Sequence, residues 1–207
     1  MKHEWKKQEK AIYYPKNNPE RITIPSFNFF IIEGKGNPNN EAFSEAIGVL
    51  YSLSYSIKML PKKGFIPNGY FDYSIYPLEG IWDLSDEAKA NNIFDKTEFI
   101  YKIMIRQPDF ATKKLAVETI ENVRSKNPHP LLESVKFETI EEGLSVQIMH
   151  TGSYDNEPAS FRRMDEFCIA NKLKRTKFTH REIYITDVRK TEPEKLKTVL
   201  RYSVEEV

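Results

Sequence analysis

Apolar residues fall in short runs along this chain, separated by turns rich in Gly, Pro and Asn, and the spacing inside each run predicts its element. Phe27 to Ile32 is a compact apolar run closed by Glu33-Gly34-Lys35-Gly36, which predicts a buried strand and a turn. Asn39 or Asn40 can cap a following helix, with Glu41 at its positive end. Phe43, Ile47, Leu50, Ser54 and Ile57 then recur at steps of four and three, the signature of an amphipathic helix. A loop over 62–69, marked by Gly64, Pro67 and Gly69, leads to two strand candidates. The first runs from Phe71 to about Leu84, interrupted by Pro77 and Gly80; the second is Phe99 to Ile105, dense in β-formers and ended by Pro108. Thr112 to Lys126 predicts a linking helix stopped at Asn127-Pro128.

The later part of the chain repeats this order. One strand, or two, covers Val135 to His150. Asp155 or Asn156 caps a helix with Pro158 in its first turn, running to about Leu173. Strands at Phe178 to Asp187 and Thr198 to Val204 follow, joined by a turn at 193–195. Gly36-Asn37-Pro38-Asn39-Asn40-Glu41-Ala42-Phe43 and Gly152-Ser153-Tyr154-Asp155-Asn156-Glu157-Pro158-Ala159-Ser160-Phe161 both place Asn-Glu four residues after a Gly. The expectation is an α+β fold built as a pseudo-symmetric tandem repeat of two βαββ modules, an antiparallel sheet with two long helices on one face and a central ligand groove. The modules would span about 23–107 and 135–207, with the linking helix at about 110–127. Residues 1–22 would pack on the domain, since Trp5, Ile12, Tyr13 and Tyr14 are too apolar for a solvated tail.

Composition narrows function by exclusion. A net charge of +1 over 207 residues gives no footprint for nucleic acid or an anionic membrane. The single cysteine, Cys168, excludes an intramolecular disulfide and a multi-cysteine metal site; its spacing from Phe161 and Met164 makes it a packing residue. No apolar run approaches the ~20 residues of a membrane span, and the charged N-terminus has no signal-peptide core, so the expected location is cytoplasmic. The 13 Phe, 11 Tyr and 2 Trp serve chiefly as core, but also supply rings for a flat ligand.

The blocks Gly36-Asn37-Pro38-Asn39, Leu50-Tyr51-Ser52-Leu53-Ser54-Tyr55, His150-Thr151-Gly152-Ser153-Tyr154-Asp155 and His180-Arg181-Glu182-Ile183-Tyr184-Ile185-Thr186-Asp187 resemble the GyrI-like small-molecule-binding family. That family shares its domain with the effector-binding halves of multidrug-responsive regulators. Leu78-Glu79-Gly80-Ile81-Trp82 and Met104-Ile105-Arg106-Gln107-Pro108-Asp109-Phe110 resemble a narrower, stand-alone branch, the cyclopropanoid cyclopropyl hydrolases, which open the strained ring of DNA-alkylating drugs related to yatakemycin and duocarmycin. The resemblance implies two βαββ modules around a groove, no cofactor and no DNA-binding segment. Ser153 departs from the family, which usually has Pro at this turn.

Glu182 is the sharpest candidate for chemistry. Strand alternation puts Phe178, His180, Glu182 and Tyr184 on one face and Arg181, Ile183 and Ile185 on the other. The isoleucines suit a helix-covered core, which turns Glu182 toward the groove. The pattern alone leaves a solvated strand glutamate open; the resemblance places Glu182 where the regulators hold an acid for cationic drugs, and in the hydrolase branch such a carboxylate could deprotonate water. Glu79 is an odd occupant of an apolar strand, and Gly80 suggests a bulge or a close backbone approach, so Glu79 is a second catalytic candidate and Trp82 a surface for an aromatic ligand. Tyr76, Tyr101, Tyr184 and His180 complete the candidate binding set, although strand tyrosines are commonly packing. His3, His129, His150 and His180 lack metal-ligand spacing, and no Ser-His-Asp set or phosphate loop appears. The leading expectation is a hydrolase that adds water to a cyclopropanoid drug in an aromatic-lined groove. The alternatives are a non-catalytic multidrug-binding or sequestering module and a partner of DNA gyrase, the latter without support from a near-neutral surface.

Overall fold

Alternating and continuous apolar runs become strands here, and the four-three runs become helices, in one antiparallel α+β protein. The computed structural model describes residues 2–91 and 93–207. In chain order the elements are α1 (Trp5–Gln8), α2 (Lys10–Tyr13), β1 (Glu20–Ile24), β2 (Phe27–Lys35), α3 (Glu41–Lys58), β3 (Leu78–Leu84), α4 (Asp86–Asn91), β4 (Phe99–Gln107), α5 (Lys113–Lys126), β5 (Lys136–Ile140), β6 (Gly143–Thr151), α6 (Glu157–Ala170), β7 (Leu173–Arg175), β8 (His180–Tyr184) and β9 (Lys197–Glu206). They divide into two compact units. One comprises residues 27–78 and 83–140 with the start of the chain; the other comprises residues 4–26, 79–82 and 141–207.

In the first unit β2 is central, paired antiparallel with β4 and with β5. Its run Phe29, Phe30, Ile31 and Ile32 is buried on both faces, which is why it reads as continuous rather than alternating. Helix α3 packs on β2 and β4 through Phe43, Leu50, Leu53 and Ile57, and α5 packs on α3. The strand expected from Phe71 begins only at Leu78; before it Tyr73 makes a single isolated bridge, with His3, and Pro77 offers no backbone N–H to a ladder.

In the second unit the antiparallel order is β1-β6-β9-β8, followed by residues 79–82 of β3, with β7 added at the end of β9. Helix α6 lays Met164 and Cys168 on Val146, Ile148, Leu200 and Tyr202, a closed apolar cluster. Cys168 is thus the packing residue its spacing predicted. Helix α6 ends at Ala170 rather than near Leu173: Lys172 takes φ 53, which reverses the chain, and Leu173 enters β7. The opposite face of this sheet is covered by residues 11–12, whose carbonyls accept from Gln147 and Arg201.

Candidate functional site

Strand β8 divides its side chains as alternation requires, and the register with its neighbours decides what each face meets. Glu182 pairs with Gly80 and with Leu200; His180 pairs with Trp82; Ile183 pairs with Glu79 and Val199; Arg181 pairs with Arg201. Residues paired across an antiparallel sheet share a face. Glu182 therefore shares its face with Leu200, the face on which α6 lies, and Ile183 shares its face with Glu79 and Arg181. This corrects the expectation that a long helix covers the isoleucine side, where the short α2 lies instead. Ile183 is fully buried, but against the residue 11–12 side of the sheet.

That other face holds a buried ion network. Arg181 donates from Nη1 to Glu79 Oε2 at 2.6 Å, and its Nε lies 3.1 Å from Glu142 Oε2. Arg201 approaches the same Glu142 oxygen at 3.2 Å and donates to Gln147 Oε1. Burial works against the Arg181 charge, but Glu142 and Glu79 outweigh it and hold the guanidinium above its ordinary value. Glu79 is thus brought to Arg181 and not to Glu182; its oddness as a strand residue reflects a buried counter-ion.

On the α6 face the side chains of β3 and β8 form a chain of hydrogen bonds. Trp82 Nε1 donates to Tyr184 Oη at 2.9 Å, and Tyr184 Oη donates to Glu182 Oε2 at 2.8 Å. His180 Nε2 lies 3.0 Å from Glu182 Oε1. An ionised carboxylate can only accept, so the hydrogen in that contact belongs to His180. Glu182 is 9% exposed and Trp82 7%. Gly80 is where this geometry needs a missing side chain: a Cβ there would lie 2.6 Å from Trp82 Nε1. The β3–β8 register runs unbroken through Gly80, so of the two readings of this glycine the close approach holds and the bulge does not. Phe161 of α6 meets the His180 ring edge-on at 4.8 Å, and Tyr154 meets Tyr184 at 6.1 Å.

Sequence reasoning did not single out Glu157, the first residue of α6, which is 7% exposed. A Glu157 oxygen, a Glu182 oxygen and a His180 ring nitrogen lie within 4.8 Å of one another, and these are the donors among the described residues that could hold a metal ion. Local spacing could not reveal the set, since it joins a helix start to alternate positions of a distant strand. Glu157 Oε1 is buried without a hydrogen-bond partner. Burial, then the neighbouring Glu182 and Asp155 charges, push its carboxyl up to about 10. Burial and Glu182 also raise the Tyr154 hydroxyl to about 12 and the Tyr184 hydroxyl well above its ordinary value. The start of α6 is pinned by His150, which reaches Ser160 Oγ at 2.9 Å and the Ser153 carbonyl at 3.0 Å. Ser153 itself sits at φ −68, the angle Pro would impose, so this departure from the family pattern leaves the turn unchanged.

Tyr76 and Tyr101 belong to the first unit and are buried there. Tyr76 lies 4.4 Å from the Arg106 guanidinium, which also stacks on Phe27 at 3.4 Å. Tyr101 covers the backbone of Gly34 and meets Phe43 edge-on at 5.0 Å.

The profile of the GyrI-like small molecule binding domain matches residues 17–203. Among solved structures, a hydrolase from Listeria innocua is 36% identical over 99% of this chain and 100% of its own, with a TM-score of 0.88. A conserved protein from the same organism, described as uncharacterized, is 37% identical over the same shares, with a TM-score of 0.89. The C-terminal domain of EcmrR, 13% identical over 92% of this chain and 98% of its own with a TM-score of 0.53, shares the fold. No curated protein matches the chain. No described helix is long and apolar enough to cross a membrane.

Proposed function

The chain belongs to the GyrI-like small molecule binding domain family, and from that premise we propose that it is a cytoplasmic hydrolase that adds water across the strained cyclopropane of flat aromatic DNA-alkylating compounds, with Glu182 as the general base. The observation that carries this reading is the fixed carboxylate: Glu182 is nearly buried, with one oxygen held by Tyr184 and the other beside His180. The description of the Listeria relative as a hydrolase supports it. With the short α4 and β7 set aside, β2-α3-β3-β4 and β6-α6-β8-β9 run in a strand-helix-strand-strand order, which supports two copies of one module.

In this reading the ligand rings rest against Trp82 and Tyr184. Glu182 takes a proton from a water whose oxygen bonds to the cyclopropane carbon. The strained C–C bond breaks, and its electron pair flows through the conjugated dienone to the carbonyl oxygen, leaving a phenolate. Aromatisation and ring strain supply the driving force; the protein contributes position and a held base. The buried Glu79 is not needed, since Arg181 engages it on the other face.

The purified protein should convert a cyclopropanoid drug to a product heavier by one water, read by mass spectrometry. Glu182→Gln should slow this about a hundredfold or more. An unchanged rate removes Glu182 from the chemistry, and binding without any heavier product reduces the protein to a binding module.

A further inference from the structure

Water addition as drawn above needs an oxygen of Glu182 that can accept a proton. Tyr184 holds Oε2, so that task falls to Oε1. We propose that Glu157, His180 and Glu182 form a binding site for a divalent transition-metal ion of the zinc class, and that a bound ion takes Oε1 and arrests hydrolysis. The site stands on geometry; the arrest rests on the water-addition reading and is a control acting on that same centre.

Four observations carry the site. One ligating atom from each of the three residues lies within 4.8 Å of the others, and the residues come from the start of α6 and from alternate positions of β8. His180 Nε2 and Glu182 Oε1 stand 3.0 Å apart. Two adjacent ligands, each about 2.1 Å from one ion, are separated by about 3.0–3.4 Å, so this pair already has the spacing an ion requires. Glu157 supplies the independent sign. It is 7% exposed, and its Oε1 has no hydrogen-bond partner among the described residues, although a carboxylate oxygen at such depth is normally matched by a donor or a cation. Arg181 does not supply that cation, because Glu79 and Glu142 engage it on the opposite face of β8. Lastly, the donors are turned before an ion arrives. Tyr184 donates to Glu182 Oε2 while accepting from Trp82, and Phe161 meets the His180 ring edge-on; outer partners of this kind orient metal ligands.

The donor set also selects the ion. An imidazole beside two carboxylates suits Zn²⁺ and its transition-metal neighbours, whereas Mg²⁺ and Ca²⁺ take oxygen ligands. Cys168 offers no sulfur here, since it lies in the closed apolar cluster beside Tyr202. Ligation breaks no covalent bond of the protein other than to hydrogen. His180 binds through the Nε2 lone pair, and the neutral ring carries its hydrogen on Nδ1. Both glutamates bind as carboxylates, with any proton released to solvent. Oε1 then donates its electrons to the ion and cannot accept a proton from water, so hydrolysis proceeds only in the metal-free protein.

The test starts from the metal-free full chain with Zn²⁺ alone as the probe, followed by calorimetry and by X-ray absorption at the zinc edge. One equivalent should bind, in a shell of nitrogen and oxygen with a single imidazole and no sulfur. Glu157→Gln and His180→Ala should each weaken binding by more than about a hundredfold, and Tyr184→Phe, which touches only the second oxygen of a ligand, by about tenfold. No saturable binding, a shell with sulfur or several imidazoles, or unchanged affinity in Glu157→Gln overturns the site. Mg²⁺ bound as tightly as Zn²⁺ overturns the class of ion. If the variants do not fold, the absorption spectrum of the parent still decides through its imidazole count. With a cyclopropanoid drug added, one equivalent of Zn²⁺ should stop formation of the hydrated product, and EDTA should restore it. Turnover that continues or rises with the site filled overturns the arrest. Metal-free protein that never forms the heavier product sinks the water-addition reading, and the arrest with it, while the zinc measurement stands.

Discussion

Successive residues of β8 meet opposite surroundings. Arg181 is clamped between Glu79 and Glu142, and Glu182, one position on, accepts from Tyr184 on the α6 face. Removing the cation would strand two buried carboxylates, so Arg181→Met should cost about 3–5 kcal/mol of stability, measured by urea unfolding. Period-two alternation was enough to place His180, Glu182 and Tyr184 together from sequence. It could not show what faced Arg181, because that depends on register with β3 and on a strand-start glutamate more than a hundred residues away. Glu157 was hidden for another reason. Glu41 and Glu157 occupy the same place in matching sequence blocks, yet Glu41 is exposed and Glu157 is buried. Helix-start preference explains both equally well, and burial alone separates them.

At the scale of elements, apolar runs were the dependable signal. β2, β4, β8 and β9 lie where the runs do, α3 where the four-three spacing does, and α5 ends where Asn127-Pro128 stops it. Boundaries moved where local chemistry overrode the pattern: β8 is confined to His180–Tyr184, which leaves Phe178 outside the strand and exposed. The chain turns at Lys172 despite continuing helical spacing, and the stretch before Leu78 stays irregular despite its aromatic residues. Which face α6 covers was misassigned because isoleucine and buried arginine share a face here, and hydrophobicity alone cannot announce an ion network. The join between β3 and β8 ties element to site through Gly80. Gly80→Ala should press on the Trp82 indole and cost about 1–3 kcal/mol, while weakening ligand binding; calorimetric melts and a titration with a cyclopropanoid drug would measure the two.

For the whole molecule, Glu157 links folding to pH. Its carboxyl is raised in the folded chain, so the folded state holds a proton that the unfolded chain releases from about 4.5 upward. The associated stability is present in full below that value and is lost progressively as pH rises toward about 10. Glu157→Gln carries no such proton; it should therefore melt higher than the parent in mildly alkaline buffer, with the gap closing as the buffer is acidified. Equal melting curves across that range would show Glu157 ionised in the folded protein.

The hydrogen bond from the Trp82 indole to Tyr184 has a practical corollary. Indole emission depends on what its N–H group touches, and the sequence holds two tryptophans, of which Trp5 is the other. With Trp5 replaced by Phe, the remaining fluorophore sits one hydroxyl away from the proposed base, so the protein carries an intrinsic optical reporter of whatever enters.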